Sequence, residues 1–361
     1  MSMNILVINP GSTTTKIAVY EGSNNVFTET IDHPVELIGQ FNDITDQFSM
    51  RRKSVQEVLD KHRVDELKLA AVVSRGGLLF GLEAGGYRIN KELVEAFNSD
   101  IVSPHASNLG AIIAYDIAQP LGIPSFIYDS EASDELEEIA KITGMKDHKI
   151  KPLAHVLNQK AVARKVATEN FNKDYKEFRT VVAHMGGGIT VGAHRDGKIV
   201  DSVRDDEGPF SPERSGGIPL LDLIDICYSG NHTKQEMIKM VRGDAGIKVL
   251  LGTTDMRLVE KQVKDGEAKS KIVYSAMAYK VGKAIGSMAT ALNCKVDCII
   301  LTGGIAYSSY IDEIITEMVK EIAPVVIVPG EFEMQALASG AVRILDGKEK
   351  AKTYKQGECV E

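Results

Sequence analysis

The sequence has little of several features that would place it in a specialised class. None of its apolar runs approaches the roughly 18 residues that a membrane-spanning helix needs, and its start lacks the basic segment of a secretory signal. Its four cysteines are too few and too scattered for a disulfide framework. Basic residues are in the minority, because 42 Lys and Arg face 50 Asp and Glu. An acidic chain is a poor candidate for nucleic-acid binding. These absences predict a soluble, cytoplasmic protein with no membrane or nucleic-acid partner.

What the chain does contain is a repeated order of elements. Its 361 residues suggest two domains. Residues 5–31 have the pattern strand, glycine turn, strand, turn, strand, and residues 180–203 repeat that order about half a chain later. Helical periodicity is predicted over 107–118, 155–170, 271–292, 309–322 and 331–345, with short apolar strands at 70–73, 125–128, 298–301 and 325–328. Alternating strands and helices predict an α/β fold.

Two glycine-containing turns occupy matching places in the two β units. The first begins at Gly11; it lacks the second glycine of a P-loop, and its threonines disfavour a helix. The second has Gly186, Gly187 and Gly188 in a row, which is costly unless a backbone approaches a ligand closely. A decorated hairpin and a tight bulge are the structural alternatives. Together the turns predict a nucleotide held between two lobes, and the absence of Gly-x-Gly-x-x-Gly argues against a dinucleotide fold.

Six short motifs resemble the butyrate kinases of the acetokinase family. They are NPGSTTTK at 9–16, SRGG at 74–77, SPHASN at 103–108, AHMGGG at 183–188, PERSGG at 212–217 and LTGG at 301–304. The resemblance runs from about residue 4 to residue 345. It implies a two-lobed, actin-like (ribonuclease H-like) ATPase fold with duplicated β-sheet domains and a cleft between them, as in sugar kinases and Hsp70. The implied domains are an acid-binding lobe, 1–151 with the C-terminal helix 331–361, and a nucleotide-binding lobe, 152–330.

The resemblance also implies a reaction and its partners. ATP would phosphorylate a short-chain carboxylate, butyrate, in a reversible Mg²⁺-dependent step that gives an acyl phosphate and ADP. Two anions must then meet, so the site needs fixed positive charge and a metal more than a covalent nucleophile. A homodimer or higher homo-oligomer is expected from the family alone.

Site residues follow from the motif matches. Arg75 and Arg214 would neutralise the two anions, because a guanidinium matches carboxylate and phosphate geometry; surface arginines are the alternative. His184 would stabilise the transferring phosphoryl group. Asp129 would lie near the metal or the acid, with a helix cap as its alternative. Metal binding is assigned to Asn9, Asp129 and Glu333, and Glu331, two residues before Glu333, is close enough in the sequence to compete. Nucleotide binding is assigned to Asn9, Gly11, Ser12, Thr14, Lys16, His155, Gly186, Gly187, Gly188, Asp255, Arg257, Gly304 and Ile305.

Departures from the acetate kinase pattern favour the butyrate branch. Gln159 stands where a histidine is expected, Gly187 replaces an asparagine, and residues 306–308 differ on the adenosine side. Kinases for isobutyrate or other branched acids, propionate or acetate are the enzyme alternatives. An ATP-switched binding protein of the same superfamily is the alternative from another class. His33, His62, His148, His194 and His232 have no supporting context and are expected at the surface.

Overall fold

Two mixed β-sheets carry the fold, and each belongs to its own unit of the chain. The computed structural model describes residues 3–355. One unit comprises the chain up to Asp134 and again from Phe332 onward, and the other comprises Glu135–Glu331. Residues 1–2 and 356–361, which include Cys359 and the end of the expected C-terminal segment, lie outside the described residues.

The first unit contains a seven-stranded sheet in the order β12-β5-β6-β4-β1-β2-β3. β1 to β3 form an antiparallel meander, and β4 and β6 continue the sheet in parallel with β1. The strands are β1 Asn4–Pro10, β2 Thr14–Glu21, β3 Asn24–Asp32, β4 Leu69–Arg75, β5 Gly86–Arg88, β6 Ser125–Tyr128 and β12 Lys352–Thr353. The helices are α1 Val35–Ile38, α2 Phe48–Lys61, α3 Lys91–Phe97, α4 Asn108–Leu121 and α13 Glu333–Leu345, with 3₁₀ turns at Ile44–Gln47 and Glu66–Lys68.

The second unit contains a five-stranded sheet in the order β11-β10-β7-β8-β9. Its strands are β7 Thr180–Met185, β8 Ile189–Arg195, β9 Lys198–Val203, β10 Cys298–Gly303 and β11 Val325–Pro329. Its helices are α5 Glu138–Lys141, α6 Val156–Phe171, α7 Leu220–Cys227, α8 Lys234–Val241, α9 Gly246–Leu251, α10 Met256–Lys264, α11 Ala268–Ala291 and α12 Ser309–Val319, with 3₁₀ turns at Tyr175–Glu177 and Gly304–Tyr307.

The two sheets share one topology. In each, a three-stranded meander is followed by two strands that join its first strand in parallel: β3-β2-β1-β4-β6 in one unit and β9-β8-β7-β10-β11 in the other. The duplicated α/β architecture predicted from the sequence is therefore confirmed. The carboxyl ends of the parallel strands meet at one edge of each sheet, where α/β proteins collect their ligand-binding groups.

The predicted helices are all present, with ends shifted by three residues or fewer. Residues 205–217 contain neither helix nor strand. Several helices were not predicted, notably α2 and the group from α7 to α10. Among the described residues, no helix combines the length and the apolar character that a membrane crossing requires.

Candidate active site

Three predicted site residues lie at the carboxyl ends of neighbouring parallel strands in the first unit. Asn9 is near the end of β1, Arg75 is the last residue of β4, and Asp129 follows the last residue of β6. The strands are in register: Ile8 pairs with Ser74, and Arg75 pairs with Tyr128. The topology thus brings residues that are far apart in sequence to one edge.

Lys16 joins this group through the hairpin between β1 and β2. It is the direct cross-strand partner of Asn9, and side chains of directly opposed residues lie on the same face of a sheet. The predicted cation of the first turn is therefore placed beside Asn9.

Glu333, at the start of α13, contacts the side chains of this group at the strand ends. The Asn9 amide Nδ2 donates to Glu333 Oε2 at 2.8 Å. Arg75 Nη1 lies 3.3 Å from Glu333 Oε1, and Arg75 Nη2 pairs with Glu131. Glu333 is buried, whereas Glu331 is exposed. Glu333 is therefore in contact with both Asn9 and Arg75.

Asp129 has an unusual backbone conformation and is hydrogen-bonded to the segment before β5. It is buried, and its φ of 44° places it in the left-handed region that aspartate tolerates better than most residues. Its Oδ1 accepts a hydrogen bond from the Gly85 N–H at 2.8 Å. No helix begins at Asp129, so the helix-cap alternative is wrong.

Charge at this edge favours a cation. Arg75 is in contact with Glu131 and Glu333, and Asp129 adds a third carboxylate at the same strand ends. Among the described residues, no group of three or more His, Cys, Asp or Glu is arranged to hold a metal alone. Mg²⁺ commonly binds through one or two carboxylates plus water and substrate phosphates. Asn9, Asp129 and Glu333 supply oxygen atoms of the kind that Mg²⁺ prefers.

Arg51, which no sequence motif identifies, supports the first glycine turn. The turn is closed by a hydrogen bond from the Gly11 N–H to the Thr14 carbonyl at 2.8 Å. Arg51 is fully buried and donates to the carbonyls of Thr14 at 2.8 Å and Ser12 at 2.9 Å. Burial lowers the pKa of Arg51 to about 10, so it remains charged at neutral pH beneath this turn.

His33 belongs to the same support and is not at the surface, so that expectation is wrong. It is buried, and its Nε2 lies 2.8 Å from Thr15 Oγ1, which also accepts from Arg51. Burial, followed by the charge of Arg51, lowers the pKa of His33. His33 is therefore neutral and, together with Arg51, contacts Thr15 beneath the first glycine turn.

Two of the short motifs pack against each other behind Arg75. A Cβ atom at Gly77 would lie 2.1 Å from Asn108 Oδ1, so only glycine fits there. Asn108 accepts from the Leu78 N–H and donates to the Ser103 carbonyl, both at 2.9 Å. This packing fixes the chain immediately after Arg75.

In the second unit, His184 occupies the centre of the sheet. It is buried on β7 between Thr190 on β8 and Thr302 on β10, its register partners. The His155 ring, one residue before α6, stacks on the His184 ring with centroids 4.0 Å apart and planes 13° from parallel. The two predicted histidines are therefore brought into direct contact.

The triple-glycine turn follows His184 and carries Arg214 at its side. The Gly186 N–H donates to the Gly188 carbonyl at 3.0 Å, and the Ser211 hydroxyl donates to the Gly187 carbonyl at 2.6 Å. A Cβ atom at Gly188 would lie 3.0 Å from Arg214 Nη1. A larger residue at that position would therefore have to displace the guanidinium.

Asp205 anchors Arg214 and was missed in the sequence. It is buried, pairs with Arg214, and accepts from Arg242 Nη2 at 2.6 Å. The Asp205 carboxylate thus holds two guanidinium groups at the side of the glycine turn. The sequence signal that could have found it is its position at the start of residues 205–217, a segment rich in proline, glycine and charged residues.

The predicted adenosine-side residues Gly304 and Ile305 lie in the 3₁₀ turn directly after β10. Gly303 has a φ of 91°, and a Cβ there would lie 2.3 Å from the Met185 carbonyl, so the turn after β10 adjoins the end of β7. Gly304 is exposed. The Ile305 side chain is packed in the core of the unit, so it is not available to contact a ligand.

Asp255 and Arg257 pair with each other at the start of α10. Asp255 accepts from the Arg257 N–H at 3.0 Å and from its guanidinium at 2.8 Å. These hydrogen bonds lower the pKa of Asp255 to about 2.

Comparisons with known proteins agree with this architecture. The sequence profile of the Acetokinase family matches residues 145–326, just over half of the chain. A crystal structure of acetate kinase from Porphyromonas gingivalis is similar, with a TM-score of 0.77 and 17% sequence identity over 95% of this chain and 100% of that one.

Two further solved structures are similar over nearly their whole length. A propionate kinase from Francisella tularensis subsp. tularensis SCHU S4 gives a TM-score of 0.76 at 17% identity, over 94% of this chain and 98% of that one. Acetate kinase from Entamoeba histolytica gives 0.73 at 14% identity, over 93% and 98%. At these identities the likeness shows the fold alone, and the predicted fold class is confirmed.

Proposed function

Because the chain belongs to the acetokinase family, a family of carboxylate kinases, we propose that it phosphorylates butyrate reversibly with ATP. The carboxylate oxygen would attack the γ-phosphorus, and the bond from phosphorus to the β–γ bridging oxygen would break. The electron pair stays on ADP, so the products are butyryl phosphate and ADP. The observation that carries this proposal is Arg75, a guanidinium held at the strand ends beside Asn9 and Glu333.

Arg75 and Arg214 would supply the fixed positive charge. Two unit charges about 4 Å apart repel by about 4 kcal/mol at an effective dielectric constant of 20, and a guanidinium offsets that repulsion without moving. Asp205 pre-orients Arg214 beside Gly188. His184, at the start of the glycine turn, would donate a hydrogen bond to the phosphoryl group as it transfers.

The two glycine turns would bind the phosphates of ATP through backbone N–H groups. Lys16 would add positive charge beside the first glycine turn. His155 would lie near the ATP phosphates that the second glycine turn binds. The start of α10, with Asp255 and Arg257, and the backbone of Gly304 and Ile305 would flank the adenosine. Mg²⁺, held by Asn9, Asp129 and Glu333, would neutralise charge on the β- and γ-phosphates.

Butyrate is proposed over shorter acids on sequence grounds. Gln159, Gly187 and residues 306–308 resemble the butyrate branch rather than the acetate branch. Burying two additional methylene groups stabilises the complex by about 1.6 kcal/mol, or roughly 15-fold in kcat/KM. Isobutyrate, other branched acids, propionate and acetate are the alternative acceptors.

A hydroxylamine-trapping assay tests the proposal. The purified protein is incubated with ATP, Mg²⁺ and acetate, propionate, butyrate, isobutyrate or isovalerate, and kcat/KM is measured from acyl hydroxamate formation. Butyrate should exceed acetate by about 15-fold. A higher value for another acid would reassign the substrate. Hydroxamate from none of the acids would reject the enzyme and favour an ATP-switched binding protein.

The protein is also proposed to form homo-oligomers. α7 presents Leu220 and Leu221 to solvent, Tyr228 directly after it is also exposed, and none of the side chains of α7 is buried. Exposed apolar faces of this kind often mark protein interfaces. Light scattering after gel filtration should give a mass at least twice that of one chain, and Leu221→Glu should lower it. A monomeric wild type would contradict this part of the proposal.

A further inference from the structure

A continuous chain of buried hydrogen bonds ends on the His155 ring. It begins at the Tyr175 hydroxyl, 2.8 Å from His194 Nδ1, and passes from His194 Nε2 to Gln159 Oε1 at 3.1 Å. The Gln159 amide then donates to Thr190 Oγ1 at 2.9 Å, and Thr190 Oγ1 lies 2.9 Å from His155 Nδ1. His194 is fully buried, contrary to its expected surface position.

The direction of this chain follows from the capacity of each group. Gln159 Nε2 also lies 3.4 Å from the Thr190 carbonyl, which can only accept, so the amide nitrogen faces Thr190 and Oε1 faces His194. His194 must therefore carry its proton on Nε2 and accept from Tyr175 through Nδ1. Burial lowers the pKa of His194 to about 3, so its ring is neutral and holds one proton.

Thr190 then decides the state of His155. Its hydroxyl oxygen accepts from the Gln159 amide and from the His155 backbone N–H at 3.3 Å. A hydroxyl has two acceptor lone pairs and one proton. Since both lone pairs are used, the proton points to His155 Nδ1, and the His155 ring carries its own proton on Nε2.

Asn158 sets the neighbouring ring by the same logic. The Thr302 hydroxyl donates to the Gly330 carbonyl at 3.3 Å, so its oxygen accepts the Asn158 amide at 3.3 Å. The same Asn158 nitrogen lies 2.9 Å from His184 Nδ1, which must therefore be the acceptor. His184 Nε2 carries the proton, and it is only 3.2 Å from where a Cβ atom at Gly186 would lie. Its N–H is thus beside the glycine turn.

Resting on the proposed kinase function, we propose that Asn158 and Gln159 are positioning residues that hold His184 and His155 as neutral rings protonated on Nε2. The two neighbours lie in the first turn of α6 and act on two histidines that stack on each other. Each histidine thereby offers an N–H donor rather than a proton acceptor. A neutral donor stabilises negative charge on a phosphoryl oxygen without giving up its proton, as this transfer requires. No proton moves along the chain.

NMR of the full-length protein reads the tautomers without any need for activity. Long-range ¹H–¹⁵N correlation spectra of ¹⁵N-histidine-labelled protein are assigned with single histidine substitutions. We expect the Nε2 atoms of His155, His184 and His194 to be protonated and their Nδ1 atoms to be unprotonated. A proton on Nδ1 of His155 or His184 would overturn the inference. Because ATP and acid are absent, this result is independent of whether the wild type makes acyl phosphate.

Kinetics of Asn158→Asp then test whether the tautomer matters. The introduced carboxylate accepts rather than donates, so His184 should acquire a proton on Nδ1. We expect kcat to fall by about 30-fold, as for other residues that orient a reacting side chain, with KM for ATP changed less than threefold. Asn170→Asp makes the same change on an exposed part of α6 and should behave as wild type. A normal kcat, or a lower kcat with Nδ1 still unprotonated, would overturn the positioning role.

Gln159→Met provides a second, uncharged test. The side chain keeps its length but neither accepts from His194 nor donates to Thr190. We expect His155 to become a mixture of tautomers while His184 keeps its Nε2 proton. An unchanged His155 spectrum would remove Gln159 from the proposal. If Asn158→Asp does not fold, this variant and the wild-type spectra still decide the inference.

Discussion

Glu333 accepts a hydrogen bond from Asn9 at 2.8 Å, although 324 positions separate them in the chain. The first residue of the last long helix is thus fixed against the first strand, beside Arg75. The proposed metal role of Glu333 predicts that Glu333→Gln lowers kcat by about 100-fold and raises the Mg²⁺ concentration needed for half-maximal rate, because a carboxylate ligand is lost. The rate is measured against Mg²⁺ concentration. Glu331→Gln, two residues earlier and exposed, is the matched control and should stay within twofold of wild type. Equal effects of the two changes would contradict the assignment.

The two arginines should be needed for turnover and not for folding. Arg75→Ala and Arg214→Ala are each expected to lower kcat/KM by about two to three orders of magnitude, the scale seen when one fixed donor to a transition state is removed. Circular dichroism should show an intact fold. Arg88→Ala, at an exposed position on β5, is the control. Activity near wild type in either variant would reject the role of that arginine.

Arg51 should couple the stability of the first glycine turn to ATP binding. In Arg51→Lys the charge remains, but an ammonium cannot reproduce the fork that holds the Ser12 and Thr14 carbonyls. We expect the free energy of unfolding to fall by about 2 kcal/mol and KM for ATP to rise, with kcat at saturating ATP nearly unchanged. Urea unfolding and initial rates measure the two effects. Arg52→Lys, whose partner is Asp116 near the surface, should show neither. A loss of stability with an unchanged KM for ATP would contradict the proposed effect of Arg51 on ATP binding.

Acid should weaken the second unit through His194. The unfolded ring titrates near 6.5, while burial lowers its folded pKa to about 3. The unfolded state therefore binds more protons between these values. The stability contribution is complete above about pH 6.5 and is lost as pH falls toward 3. Between pH 7 and pH 5 this one ring should lower the free energy of unfolding by about 2 kcal/mol.

Urea unfolding at the two pH values measures this loss. His194→Gln should remove about that much of the pH dependence, whereas His148→Gln, at an exposed site, should leave it unchanged. An identical pH dependence in wild type and His194→Gln would show that His194 is not buried as a neutral ring.

The strands were predictable because their sequence signal is local. Apolar β-branched runs and glycine turns identify β1 to β3 and β7 to β9, and the repetition of that order predicts the duplicated sheets. Short helices carry less signal. α7 has only eight residues, which is too short a segment to establish a helical period.

Buried polar residues were missed because their partners are distant. His194 lies on β8, where both faces of the strand are covered, so alternation does not reveal its burial. Its partners Tyr175 and Gln159 are 19 and 35 positions away. Arg51 binds carbonyls nearly forty positions earlier. Such residues are buried only when a folded chain satisfies their hydrogen bonds, which a single sequence does not display.

The positions of the candidate site residues in the fold were predictable where a motif lies at a strand end. Asn9, Arg75 and His184 terminate or nearly terminate predicted strands, and parallel topology then brings them to one edge of each sheet. The choice between Glu331 and Glu333 depended on where α13 begins, which sequence patterns locate only to within a few residues.

Phosphorus NMR of the reaction mixture addresses the kinase proposal itself. Wild-type protein is incubated with ATP, Mg²⁺ and butyrate, and ³¹P spectra are followed with time. We predict a butyryl phosphate resonance that grows in step with ADP and disappears on addition of hydroxylamine. ADP accompanied only by inorganic phosphate, or no consumption of ATP with any acid, would contradict the assignment of this chain as a carboxylate kinase.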